Sequence, residues 1–117
     1  MNEQQFKDRT KKLAVQIIQL VEELPNRKAA DVIGRQLLRS GTSVAANYRA
    51  ACRGKSTADV IAKLCIVEEE SDETLYWMEI LVESKLIRPD QVQGVMQETS
   101  EILAMTVASI KTLKGRQ

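Results

Sequence analysis

Ala30, Ile33, Leu37, Gly41, Val44, Tyr48 and Cys52 follow one another at steps of three or four residues without a break. That spacing keeps one face of an α-helix apolar and is incompatible with a strand, whose faces alternate at every residue. It predicts a single helix over about 27–53 that runs straight through Gly41. A glycine inside a helix costs roughly 1 kcal/mol relative to alanine, so Gly41 needs a reason. Ser40, Ser43, Ala45 and Ala46 surround it, and the close approach of a neighbouring helix supplies one.

Three more stripes accompany this one. Phe6, Leu13, Ile17, Leu20 and Leu24 predict a helix over about 3–24. Pro25-Asn26 stops it, with Asn26 as the N-cap of the next helix. Val60, Leu64, Val67, Ser71, Thr74, Met78 and Leu81 predict a third helix over 57–86. Val92, Val95, Met96, Thr99, Leu103, Thr106, Ile110 and Leu113 predict a fourth over about 90–114, opened by Pro89 or Asp90. Four helices of similar length joined by short turns make an all-α, antiparallel up-down-up-down four-helix bundle. One domain of 117 residues accommodates it. The third helix carries a second apolar set, Ile61, Ile66, Leu75, Trp77 and Ile80. A helix of a monomeric bundle needs one stripe, so Ile66, Trp77 and Ile80 are candidate oligomer-interface residues.

"CRGKST", residues 52–57, ends like a phosphate-binding P-loop. The full motif requires a glycine at position 49, where Arg49 stands, and a strand leading in. Here a helix leads in. The turn reading accounts for each residue: Gly54 as a left-handed stop, Ser56 as N-cap, and Asp59 as the acid of a capping box.

The chain has no histidine. That removes the commonest general base, the Glu-x-x-His pairs of di-iron bundles, and any Ser-His or Cys-His nucleophile. Cys52 and Cys65 are thirteen residues apart with no CxxC, which suits buried free thiols in a reducing compartment. "EEESDE" at 68–73 reads as a solvated acidic face in preference to a metal site. No cofactor is expected. "MNEQQFKDRTKK" lacks the apolar segment of a signal peptide, and no apolar run approaches membrane-spanning length. A cytoplasmic protein with no membrane partner is the expectation.

A net charge of +1 hides an asymmetry. Residues 26–56 hold seven basic side chains and one acidic, a net of +6. Residues 57–86 hold two basic and eight acidic, a net of −6. Antiparallel packing about a turn near Lys55 puts Arg39 opposite Ser71, within reach of Glu70 or Glu73. Mutual neutralisation of the two helices is the first expectation. The second is that outward-facing Arg35, Arg49, Arg53 and Lys55 meet RNA phosphates, although no RNA-reading aromatic motif accompanies them.

"LLRSGTSVAANYRAACRGKSTADVIAKLCIVEEESDETLYWMEIL", residues 37–81, resembles the small four-helix-bundle proteins encoded in intervening sequences of bacterial 23S ribosomal RNA genes. The pattern of that family is met at Arg39, Ser43, Ala46-Asn47-Tyr48 and Glu73. It is departed from at Ala50, where the family carries a Glu. The resemblance implies a homo-oligomer, specifically a homopentamer. It also implies a polar network of Arg39, Ser43, Asn47 and Glu73 tying helices together. The resulting expectation is a non-enzymatic oligomeric scaffold or binding module, with RNA or a ribonucleoprotein as partner. A protein-only adaptor is one alternative. The other is a small-ligand bundle using Arg39, Asn47 and Glu73.

Overall fold

Three of the four helices begin where a side chain or proline meets the first unpaired amides. The Asn2 side chain accepts from the Gln5 amide at 2.8 Å, while the Gln5 side chain accepts from the Asn2 amide at 3.0 Å, a closed capping box. Ser56 Oγ accepts from the Asp59 amide at 3.1 Å. Asp59 in turn reaches back to the Lys55 amide, one residue before the cap. Pro89 occupies the first position of the last helix, where its missing N–H costs nothing. The computed structural model describes residues 1–117 as α1 (Glu3–Glu22), α2 (Lys28–Ala51), α3 (Thr57–Glu83) and α4 (Pro89–Lys114).

α1 packs on α2 and α4, and α3 packs on the same two, while the diagonal pairs do not meet. This is the up-down-up-down square expected from the short turns. Its long axis is 47 Å, and α3, at about 1.5 Å per residue, spans most of it. Leu13, Ile17, Leu37, Val44, Val67, Met78, Leu81, Val92 and Ile102 are fully buried in the main core. Each contributes on the order of 1.5–3 kcal/mol by leaving water. A smaller second core of Ala51, Ile61, Leu64 and Ile110 lies near the α2–α3 turn.

Gly41 is buried against α1. A Cβ there would stand 2.5 Å from Ile17 Cδ1, so the small residue lets the two helices close up. The buried stripes otherwise follow the sequence with local shifts: Ile61 is buried where Val60 was expected, and Ile102 where Leu103 was.

Four expectations need correction. Arg27, not Asn26, stands at the N-cap of α2 and gives no side-chain cap. α2 stops at Ala51 and α3 at Glu83, short of 53 and 86. No glycine has positive φ, so Gly54 is not a left-handed stop. Its lack of a side chain matters for space, because a Cβ would lie 2.4 Å from Val60 Cγ2. The left-handed residue is Lys85, with φ 62°. There the Leu86 amide donates to the Leu81 carbonyl and the Lys85 amide to the Val82 carbonyl, both at 3.0 Å. This is a Schellman ending. It turns the chain inward, so Leu86 and Ile87 are buried in the connection instead of extending α3.

Candidate functional site

The polar residues expected to act together separate into two groups. Arg39 donates to Glu70 at 3.1 Å and to Glu73, joining α2 to α3. Trp77 Nε1 also donates to Glu73, at 2.9 Å. The Trp77 bond, followed by Arg39, holds the Glu73 carboxyl below its ordinary value of 4.5. Asn47 turns back along its own helix instead, donating to the Ser43 carbonyl and Oγ at 2.9 and 2.8 Å. Asn47 and Ser43 therefore do not reach Glu73, and no site forms between Arg39, Asn47 and Glu73. The polar contact buried between α2 and α3 is Ser40 with Thr74, whose hydroxyls lie 3.0 Å apart. Both were legible only as small residues in a stripe. Ser71 Oγ, also fully buried, has no partner.

Ile66, Trp77 and Ile80 are each half-buried along α3. Trp77 packs partly against the main core. Its ring stands edge-on to exposed Tyr76, with centroids 5.0 Å apart. No three His, Cys, Asp or Glu side chains converge in a way that would hold a metal ion.

The basic residues divide more sharply. Arg35 pairs with Asp31 on its own helix, one turn away, at 2.9 Å. Arg39 is the only α2 side chain that pairs with an α3 carboxylate, so neutralisation of α2 by α3 through ion pairs is confined to that residue. Arg49, Arg53 and Lys55 pair with nothing. They stand at the end where α2 finishes and α3 begins, far along the axis from Arg35.

The up-down topology adds to them the first turns of α1 and the last turns of α4. At this end, residues 1–12, 44–66 and 104–117 carry eleven basic and three acidic side chains, a net of +8. The opposite end, residues 13–43 and 67–103, carries six basic and thirteen acidic, a net of −7. Of the eleven, only Arg9 makes an ion pair, reaching Glu98 and Glu101 on α4. Arg49, Lys111 and Lys114 lie in last helical turns, where a positive charge complements the helix dipole. Lys55 lies just before the α3 N-cap, where it does not.

Two hollows mark this end. A polar groove of about 460 Å³ between α1 and α2 has Lys7, Lys11 and Arg49 on its walls, with Thr42, Ala45 and Ala46 between them and Asp8 as its one acid. Sequence reasoning found Arg49 and missed the two lysines, because only the α1–α2 pairing brings them together. An apolar cleft of about 550 Å³ opens among the four helix ends, lined by Phe6, Tyr48, Ala51, Val60, Leu64 and Leu113. Burial raises the Tyr48 phenol and the Cys52 thiol above their ordinary values.

No helix is long and apolar enough to cross a membrane. Comparison with curated protein sequences finds no match. A crystal structure of a protein of unknown function from the S23 ribosomal protein family of Bacteroides thetaiotaomicron is similar to this one. Its TM-score is 0.88 at 37% identity, covering 95% of this chain and 99% of that chain. The family profile described as 23S rRNA-intervening sequence protein matches residues 2–108. A match over nearly the whole bundle, helix for helix, means that the chain belongs to the 23S rRNA-intervening sequence protein family.

Proposed function

We propose that this protein is a non-enzymatic, oligomeric binding module that contacts RNA phosphates through its basic end. The observation that carries the reading is the collection of ten unpaired cations at one end of the bundle. Like charges crowded this way weaken a fold, and they release counterions when they meet a polyanion. The groove of Lys7, Lys11 and Arg49 is the part best shaped for a backbone, since its small floor residues leave room between three cations.

The test is fluorescence anisotropy of a labelled ribosomal RNA fragment at several salt concentrations. Micromolar or tighter binding that weakens steeply with salt is expected. Lys7→Gln, Lys11→Gln and Arg49→Gln together remove three phosphate contacts and lower the logarithmic salt slope by about 2 on a single strand. Absence of binding at low salt overturns the reading and leaves the protein-only adaptor in its place.

The oligomeric part rests on the family and on the half-exposed Ile66, Trp77 and Ile80 beside exposed Tyr76. A second copy covering that flank of α3, within a ring of five, accounts for an apolar surface the monomer leaves wet. Light scattering is expected to return a multiple of 13.1 kDa, and Ile80→Lys to reduce it. A monomer mass at micromolar concentration defeats this part alone.

A further inference from the structure

The apolar cleft has no role in phosphate binding, yet it opens in the middle of the basic end. We infer that it receives an unstacked base, making single-stranded or looped RNA, not duplex, the ligand of this surface; the inference rests on the basic-end reading above. Three observations converge on it. The cleft's roughly 550 Å³ falls in the size range of small-molecule sites, roughly 300–1,000 Å³, ample for one base. Its wall is aromatic: Tyr48 and Phe6 both line it, their rings tilted against each other with centroids 4.5 Å apart. Its lining holds one base, Arg116, and one acid, Glu3, but it shares the basic end with the Lys7, Lys11 and Arg49 groove and with Arg53, the residue after its lining Cys52.

An aromatic ring inside a positive field is the arrangement that binds single strands, because every base offers a π-face while the backbone follows the charge. A duplex keeps its bases stacked and offers such a cleft nothing. Ser109 and Thr112, on the α4 side of the opening, supply hydroxyls for a base edge.

The experiment compares two labelled RNAs, an oligouridine of twelve nucleotides and a blunt duplex of twelve base pairs, with the intact protein at two salt concentrations. The single strand is expected to bind about tenfold tighter than the duplex (base–aromatic stacking being the difference). Tyr48→Leu is expected to abolish that preference without changing duplex affinity. Ser109→Met, at an exposed α4 position, narrows the mouth and is expected to do the same if Tyr48→Leu does not fold. Equal affinity for the two RNAs, unchanged by either variant, overturns the cleft inference and leaves the basic-end reading standing. Failure to bind either RNA overturns both.

Discussion

The two ends of the bundle handle charge in opposite ways. At the acidic end the carboxylates are put to use: every ion pair in the structure draws its acid from there, from Asp31, Glu70, Glu73, Asp90, Glu98 or Glu101. Arg39 with Glu70 and Glu73 clips α2 to α3. Arg9, bonded to both oxygens of Glu98 at 2.8 and 2.5 Å, clips α1 to α4. At the basic end Arg9 alone among the basic side chains reaches an acid, the second core is a cluster of only four residues, and a cleft opens. One end is arranged for holding helices together. The other leaves charge and apolar surface free, which costs stability and fits a binding surface.

Reversing charge at the basic end should produce the largest effect. Lys7→Glu with Arg49→Glu is expected to lower RNA affinity about 100-fold at low salt, with a thermal midpoint equal to or above that of the parent. A large loss of stability instead would mean the basic end is structural after all.

Gly41→Val strikes the joint between α1 and α2. Its branched side chain has no room against Ile17, and a destabilisation of about 2–3 kcal/mol is expected in chemical denaturation. RNA affinity should fall with it, because α1 carries Lys7 and Lys11 away from Arg49. Retained affinity would show that the groove is not the contact.

Arg39→Ala tests the acidic end and should do the reverse, costing about 1 kcal/mol as a partly exposed pair and leaving RNA affinity unchanged. Its pH signature is specific. The folded Glu73 carboxyl lies below 4.5, through its bonds from Trp77 and then Arg39. Its stabilising contribution is therefore complete above about pH 4.5 and is lost as pH falls through the lower folded value. Acid titration of Glu73→Gln should show a shallower loss over that window.

The smallest expected effect is a gain. Lys85 holds a left-handed backbone that suits glycine, so Lys85→Gly should raise stability by about 1 kcal/mol without touching either end's function.

Much of this molecule was legible along the chain. The stripes located all four helices, the small residues around Gly41 announced a close helix contact, and Arg39 was placed opposite Ser71 within reach of Glu70 or Glu73, both of which it meets. The misses have local causes. Leu86 extends the spacing of α3, so periodicity alone carried the helix onward. Only the left-handed turn at Lys85 sends Leu86 inward as a cap. Gly54 was assigned the left-handed role because glycine can adopt it, whereas a close side chain, Val60, is what requires glycine there. Asn47 has a donor either helix could satisfy, and its own helix was nearer.

By itself the sequence determined how many helices form, where their apolar faces lie, and that no histidine is among these residues. Those properties are set by residue type and by neighbours three or four positions away. The tertiary structure decided which distant charges share a surface. Segment by segment the sequence showed a basic helix followed by an acidic one. The antiparallel fold converts this into a basic end and an acidic end, because it stacks the start of α1 and the finish of α4 beside the turn from α2 to α3. Electrostatic fields sum over distance in space, and no spacing rule along one helix could supply that sum.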